Sequence, residues 1–349
     1  LYVLLIWLTR RRPALCGFIF GLGFLQREFA LYGFVALLAI EALEGTLFTR
    51  AGLRWSFRFL RTAAEVWLLV QWLKWYSSAA GPGTTMADVY KPKDNVLELA
   101  NRICWDLATL PRGAWRMLTE HWPVLFGTRV LPLTDFAVDS RVSQGIPGSW
   151  VLLAATALVA ITGIIRGARA SRTMRLADPF SAYLVLVALL SGAGYVLGRC
   201  GEVDFVVMRY ELLSILGAVG LGAWFLRVEP SPLVRRVWMG LACLTLAVAA
   251  VAHARLLGEY VRHAPEGAKQ QIVKHLEARG IRYAYSDYWT AYPLTFLTGE
   301  RIIVASNDFV RIREYNRIVD EHKGGAVRIS RSPCEGGRPI IQGVYLCEN

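Results

Sequence analysis

Long uncharged runs alternate along the chain with short arginine clusters, and the rhythm breaks only in the middle and at the C-terminus. Leu1 to Leu8 reads as the end of a spanning helix closed by Arg10, Arg11 and Arg12. No initiator Met or charged leader precedes it, so the reading expects the C-terminal portion of a longer protein, with a membrane helix upstream. Gly17 to Tyr32 is apolar but interrupted at Gln26, Arg27 and Glu28 before resuming through Phe29 to Ile40. A helix over Ala14 to Leu25 would be only ~18 Å long at ~1.5 Å per residue, short of the ~30 Å hydrocarbon core. The polar triplet is therefore expected within the membrane or at its lip, where ionisable groups face a cavity or pair with each other at a turn.

Arg50 to Arg61 interleaves four arginines with Trp55, Phe57, Phe59 and Leu60, as in a helix lying at the cytoplasmic interface. Ala63 to Tyr76, Trp150 to Ile165, Pro179 to Gly198, Phe205 to Leu226 and Val237 to Ala252 are the remaining predicted spans. The middle stretch carries two amphipathic candidates. Asn95 to Leu110 is expected to stop at Pro111, and Gly113 to Phe126 follows it. Both suit helices that lie on the outer surface and roof a cavity, or that simply pack outside the bundle. His121 is the only histidine there, and a lone histidine is commonly a surface or hydrogen-bonded residue.

After Glu259 the pattern alternates. Helices are expected over Glu266 to Arg279, Tyr288 to Leu297 and Phe309 to Glu321, with strands over Ile281 to Tyr285, Ile302 to Ala305, Val327 to Ile329 and Ile340 to Leu346. Such alternation predicts a small α/β sandwich with a largely parallel sheet. The fold expected is mainly α. A polytopic transmembrane helical bundle covers residues 1–257, with an extracytoplasmic loop over 78–149, and a small extracytoplasmic α/β domain covers 258–349.

Composition agrees: 54% of residues are hydrophobic, and many of the charges behind the net +12 lie in short loops. That is the positive-inside distribution of an integral membrane protein, with bacterial inner membrane as the expected location. It excludes a nucleic-acid reading, since no zinc-type cysteine spacing, recognition helix or RNA-binding aromatic motif accompanies the charge. Cys16 and Cys243 read as packing residues. Cys334 and Cys347 fall where an oxidising compartment permits a disulfide, while Cys104 and Cys200 pair only if the long loop folds over. No metal or cofactor is predicted.

Arg209, Tyr210 and Glu211 sit near the outer end of a span, at a depth expected to match Arg27. Arginines gathered there suit an anionic headgroup, because guanidinium offers a planar fork of donors to phosphate oxygens. The alternative is a structural Arg209 and Glu211 pair at a helix start. Asp287 follows the first strand of the last domain, where open α/β sheets place ligands. With Tyr288 and Trp289 it forms an acceptor-side candidate, a carboxylate for hydroxyls beside rings that stack on sugar faces. The alternative for Asp287 is a helix N-cap.

Three segments carry a resemblance. Gly21-Leu22-Gly23-Phe24-Leu25-Gln26-Arg27, Arg209-Tyr210-Glu211-Leu212-Leu213 and the run Gly280 to Glu300 are similar to segments of the GT-C superfamily of polytopic glycosyltransferases, which includes protein mannosyltransferases and aminoarabinose transferases. The third segment resembles the extracytoplasmic tail of an uncharacterised bacterial branch. The resemblance implies a polyprenyl-phosphate sugar as donor and a glycan, lipid or protein as acceptor, in contact with membrane lipid. It implies donor-phosphate binding by Arg27, Arg209 and Tyr210, with an acidic catalytic residue upstream of this chain. Glu28 beside Arg27 and Glu211 in place of an apolar residue depart from that pattern. A transporter or lipid flippase, or a non-catalytic scaffold, is the alternative, although no inverted repeat is visible.

Overall fold

A computed structural model describes residues 1–26, 29–79, 108–131, 144–170, 178–199, 205–263, 267–341 and 343–347. These fall into two compact units: the first holds the described residues up to Leu73 and from Ala108 to Gly258, and the second holds Lys74–Ala79 and the described residues from Glu259 onward.

The first unit is helical. Helix α1 spans Tyr2–Thr9, α2 Pro13–Gln26, α3 Phe29–Leu43 and α4 Arg50–Ala79. Helices α2 and α3 flank the polar triplet where the interruption is expected, and Arg27 and Glu28 themselves lie outside the described residues. The interfacial helix and the span expected around Arg61 are one continuous helix, α4. No glycine or proline separates Arg61 from Ala63, and an Arg61–Glu65 pair at 2.7 Å bridges the expected break.

After the middle stretch come α5 (Leu110–Arg116), a π-helical turn (Met117–His121) and α6 (Trp122–Leu125). Of the helix predicted over Asn95 to Leu110, all but the last three positions lie outside the described residues. Pro111 lies in the first turn of α5, where its missing N–H removes no hydrogen bond. A two-residue antiparallel ladder, β1 (Arg129–Val130) with β2 (Gln144–Gly145), leads to α7 (Ser149–Ala170). Helix α8 (Pro179–Arg199), a 3-10 segment (Phe205–Ser214), α9 (Ile215–Val228) and α10 (Pro232–Arg262) follow.

Among the described residues, four segments are long and apolar enough to cross a membrane: Ser149–Gly167, Pro179–Gly198, Glu211–Val228 and Pro232–Arg262. Their burial separates their roles: 56% of the α8 span is buried against 6% of the α10 span, so α8 is the central post. It packs against α3, α9 and the 3-10 segment. The Tyr183 hydroxyl of α8 donates to the Val3 carbonyl at 2.6 Å, tying α1 into the same core. Close crossing of α2 and α4 depends on Gly17, where a Cβ would collide with the Phe59 carbonyl.

The second unit has α11 (Ala268–Ala278), β3 (Tyr283–Ser286), α12 (Tyr288–Leu297), β4 (Ile303–Ser306), α13 (Arg313–Glu321), β5 (Val327–Ser330), β6 (Arg338–Ile341) and β7 (Val344–Cys347). The strand order is β4-β3-β5-β7-β6. Both β4 and β5 run parallel to β3, whereas β7 is antiparallel to β5 and to β6. The largely parallel sheet expected is therefore mixed. The single closing strand expected over Ile340 to Leu346 is a hairpin, turned at Gly343 with φ of +77°, a conformation that favours glycine. Ile272, Leu276, Leu294, Val304 and Leu346 fill the core between sheet and helices. Cys334 and Cys347 form a disulfide.

Candidate functional site

The most distinctive side-chain arrangement of the helical unit lies where α8 finishes. His121 Nδ1 and Glu211 Oε1 are 2.6 Å apart, and both side chains are fully buried. They come from residues ninety positions apart in sequence, so the pair bolts the α5–α6 segment to the 3-10 segment.

Local chemistry explains how each side chain arrives. Gly113, Met117 and His121, four residues apart, form the buried face of the α5–α6 segment, while Trp115 and Leu118 are exposed. Pro123 has no N–H to give the Thr119 carbonyl, and the ladder just before it widens: the Trp122 N–H donates to Met117 O, five residues back. Glu211 sits in a 3-10 segment, where side chains three residues apart eclipse, which sets Ser214 on the same face. Ser214 Oγ is 4.0 Å from the point a Cβ at Gly192 would occupy, and Met117 Sδ is 3.7 Å from it, so both flank α8 at that glycine. The Tyr195 ring lies 5.7 Å from the His121 ring, and Tyr195, Val196 and Met117 form a small core with Trp122 against it.

Three polar atoms along this seam have no hydrogen-bond partner among the described residues: Glu211 Oε2, Ser214 Oγ and the Trp122 indole Nε1. Each such group costs about 1–3 kcal/mol when buried. The unit's other buried carboxylates behave differently. Asp178 gives Oδ1 to Arg227 at 3.0 Å and Oδ2 to the Ser181 hydroxyl. Glu229 gives Oε2 to Arg166 at 3.1 Å and Oε1 to the Ser231 N–H at 3.1 Å. Those two pairs lie at the opposite end of α8 and join helix ends with every oxygen used, as structural ion pairs do.

Of the residues expected to hold a donor phosphate, Arg27 lies outside the described residues. Arg209 and Tyr210 belong to the 3-10 segment, and their side chains also lie outside the description. Their described neighbours reach α8 within one turn of each other, Tyr32 at Gly194 and Ser214 at Gly192. Tyr32, five residues after Arg27, packs its hydroxyl where a Cβ at Gly194 would stand, and Glu211, two residues after Arg209, holds the His121 ring that faces Tyr195. Glu211 Oε1 is taken by His121, a partner that sequence reasoning missed. The available signal was the spacing of Gly113, Met117 and His121 ahead of a proline. Cys104 and Cys200 lie outside the described residues.

In the second unit, Asp287, Tyr288 and Trp289 lie at the carboxyl end of β3, beside the switch between β3 and β5. Asp287 is the N-cap of α12: Oδ1 accepts from the Trp289 N–H at 3.0 Å and Oδ2 from the Thr290 hydroxyl at 2.8 Å. Arg331, just past β5, comes within 3.4 Å of Oδ2. Burial, then repulsion from Arg331, lowers the pKa of the Lys269 ammonium, while Asp287 opposes that shift. The Tyr288 ring meets Trp289, Tyr292 and Phe309 edge-on, with the Arg311 guanidinium 5.0 Å above it, and Trp289 is more than half exposed. The three expected residues are thus neighbours, with the carboxylate engaged in capping and the rings presented outward.

Among the described residues no cluster of His, Cys, Asp and Glu is arranged to hold a metal ion. No protein-family model, curated protein or solved structure matches the chain.

Proposed function

We propose that this protein is a membrane glycosyltransferase that moves a sugar from a polyprenyl-phosphate donor to an acceptor on the extracytoplasmic face. The observation that carries the reading is the arrival of the stretches after Arg27 and Arg209 on one turn of α8, Tyr32 at Gly194 and Ser214 at Gly192, beside a buried carboxylate–imidazole pair. Segments distant in sequence, each led by an arginine, end at one level of the bundle, as a headgroup site at a membrane lip requires.

In this reading Arg27 and Arg209 neutralise the donor phosphate as the bond from the sugar to the phosphate oxygen breaks. The acceptor hydroxyl oxygen forms the new bond to the anomeric carbon, and its proton passes to a carboxylate base that none of the assigned residues supplies. The aromatic face at Tyr288 and Trp289 receives the acceptor.

The test is transfer by the full-length protein from a polyprenyl-phosphate sugar, with Arg27→Ala and Arg209→Ala compared with parent. Loss of about 100-fold or more in either variant is expected for removal of a group that stabilises the leaving phosphate. Full transfer in both variants would end the assignment.

A further inference from the structure

The Glu211 seam differs from every other buried carboxylate site among the described residues of the helical unit, because it carries unmet hydrogen-bonding capacity on both sides. Asp178 and Glu229 use both oxygens on protein partners. Glu211 uses one, and Ser214, eclipsing it a turn later, uses none for its hydroxyl. The indole N–H of Trp122, next in sequence to His121, also lacks an acceptor. An ionised carboxylate accepts, an indole N–H donates and a hydroxyl does both. That donor and acceptor set matches ligand hydroxyls. A phosphate would be repelled by Glu211, so these residues differ in kind from the arginines assigned to the donor phosphate.

The other half of the inference comes from the α5–α6 segment. Its inner face is small and local, built of Gly113, Met117 and His121 with Trp122 beside them. A π turn and a proline interrupt its helix where His121 meets Glu211. Such interruptions leave a helix with weakened backbone bonding at one point, a place where it can bend.

We infer that Glu211 and Ser214 form a binding face for the hydroxyl groups of an uncharged sugar, and that Leu110–Leu125 is a cover that closes it in this structure. Opening separates His121 from the 3-10 segment and presents both Glu211 oxygens with the Ser214 hydroxyl. The choice of a lipid-borne sugar as ligand rests on the transferase reading, whereas the covered polar face does not.

The experiment uses the full-length protein in lipid vesicles and a small uncharged maleimide, with labelling read at the peptide level by mass spectrometry. Ser214→Cys places a thiol behind the cover. Ser181→Cys places one at the satisfied end of α8, in an equally buried setting. The Ser214→Cys thiol is expected to react about tenfold faster or more, since only that end opens locally. Equal inertness of the two thiols overturns the cover.

A mixture of polyprenyl-phosphate hexoses differing in ring hydroxyls should slow the Ser214→Cys reaction severalfold, while sugar-free polyprenyl phosphate leaves it unchanged. Equal slowing by both lipids, or by neither, overturns the sugar assignment. Glu211→Gln added to Ser214→Cys should remove the protection while the melting temperature stays close to that of Ser214→Cys alone, and retained protection overturns the role of Glu211. Protection by the hexose lipids in a protein that transfers no sugar would sink the transferase reading and leave the binding face standing.

Discussion

Replacing His121 by alanine should be among the most damaging single changes available in the helical unit. The ring fills a fully buried position and is the partner of Glu211 Oε1, whose second oxygen has none. Its removal leaves a buried carboxylate without a partner on either oxygen. Breaking a buried pair from one side costs about 3–5 kcal/mol, because a charge remains uncompensated in a low dielectric. Glu211→Gln keeps an oxygen for the His121 ring and removes the charge, so its cost should be about 1 kcal/mol. His121→Phe combined with Glu211→Leu replaces the pair by apolar groups and should recover most of the loss. In a unit of this size a few kcal/mol corresponds to roughly 10 °C in melting temperature. Thermal melting in detergent, followed by tryptophan fluorescence with Trp122 at the seam, reads the order directly: parent, Glu211→Gln, the double variant, then His121→Ala as the lowest. A His121→Ala protein that melts with parent, or a Glu211→Gln protein that falls as far as His121→Ala, would refute the reasoning.

Three other outcomes follow from different parts of the molecule. Gly17→Val should push α2 off the Phe59 carbonyl and cost about 1–3 kcal/mol or more, read as early melting. Cys334→Ala opens a loop with thirteen residues of separation and should cost the second unit about 3 kcal/mol, seen as faster hydrogen exchange in β7. Tyr285, through burial and then its hydrogen bond to Asp320, and Tyr315, chiefly through its hydrogen bond to Glu300, are both pushed up to about 12. Raised phenol pKa values add stability that is complete below the ordinary value near 10 and is lost as pH climbs to about 12. Ultraviolet titration should show tyrosines ionising late, and Tyr285→Phe should remove one of them; a single step near 10 would contradict this.

Much of the helical unit is legible in its apolar periods, because a span must satisfy its backbone internally and exclude charge over a fixed length. Helices long and apolar enough to cross a membrane stand near the places expected from Trp150 onward, although the third candidate begins at Glu211 instead of Phe205 and the last runs past Ala252 to Arg262. What failed was punctuation. Pro111 sits in the first turn of α5, a place that a stop signal alone does not announce, since proline is compatible with either helix boundary. Arg50 to Tyr76 divides by composition yet forms one helix, because helical bonding continues across a change of polarity. In the last domain, Gly343 marks a hairpin inside a stretch whose apolar residues read as one strand, and the mixed sheet follows from it. The seam at His121 and Glu211 was legible on one side only: the spacing of Gly113, Met117 and His121 marks a buried face, but a contact over ninety residues names no partner for it. For Asp287 local reasoning offered a ligand group and an N-cap, and it serves as the cap.

The most direct test of the transferase reading reconstitutes the full-length protein in vesicles with a panel of polyprenyl-phosphate sugars and measures two products: free polyprenyl phosphate and glycosylated acceptor. The account predicts that both appear together, in equal amounts, with at least one sugar. Movement of intact sugar-lipid between leaflets, with neither product formed, would contradict it.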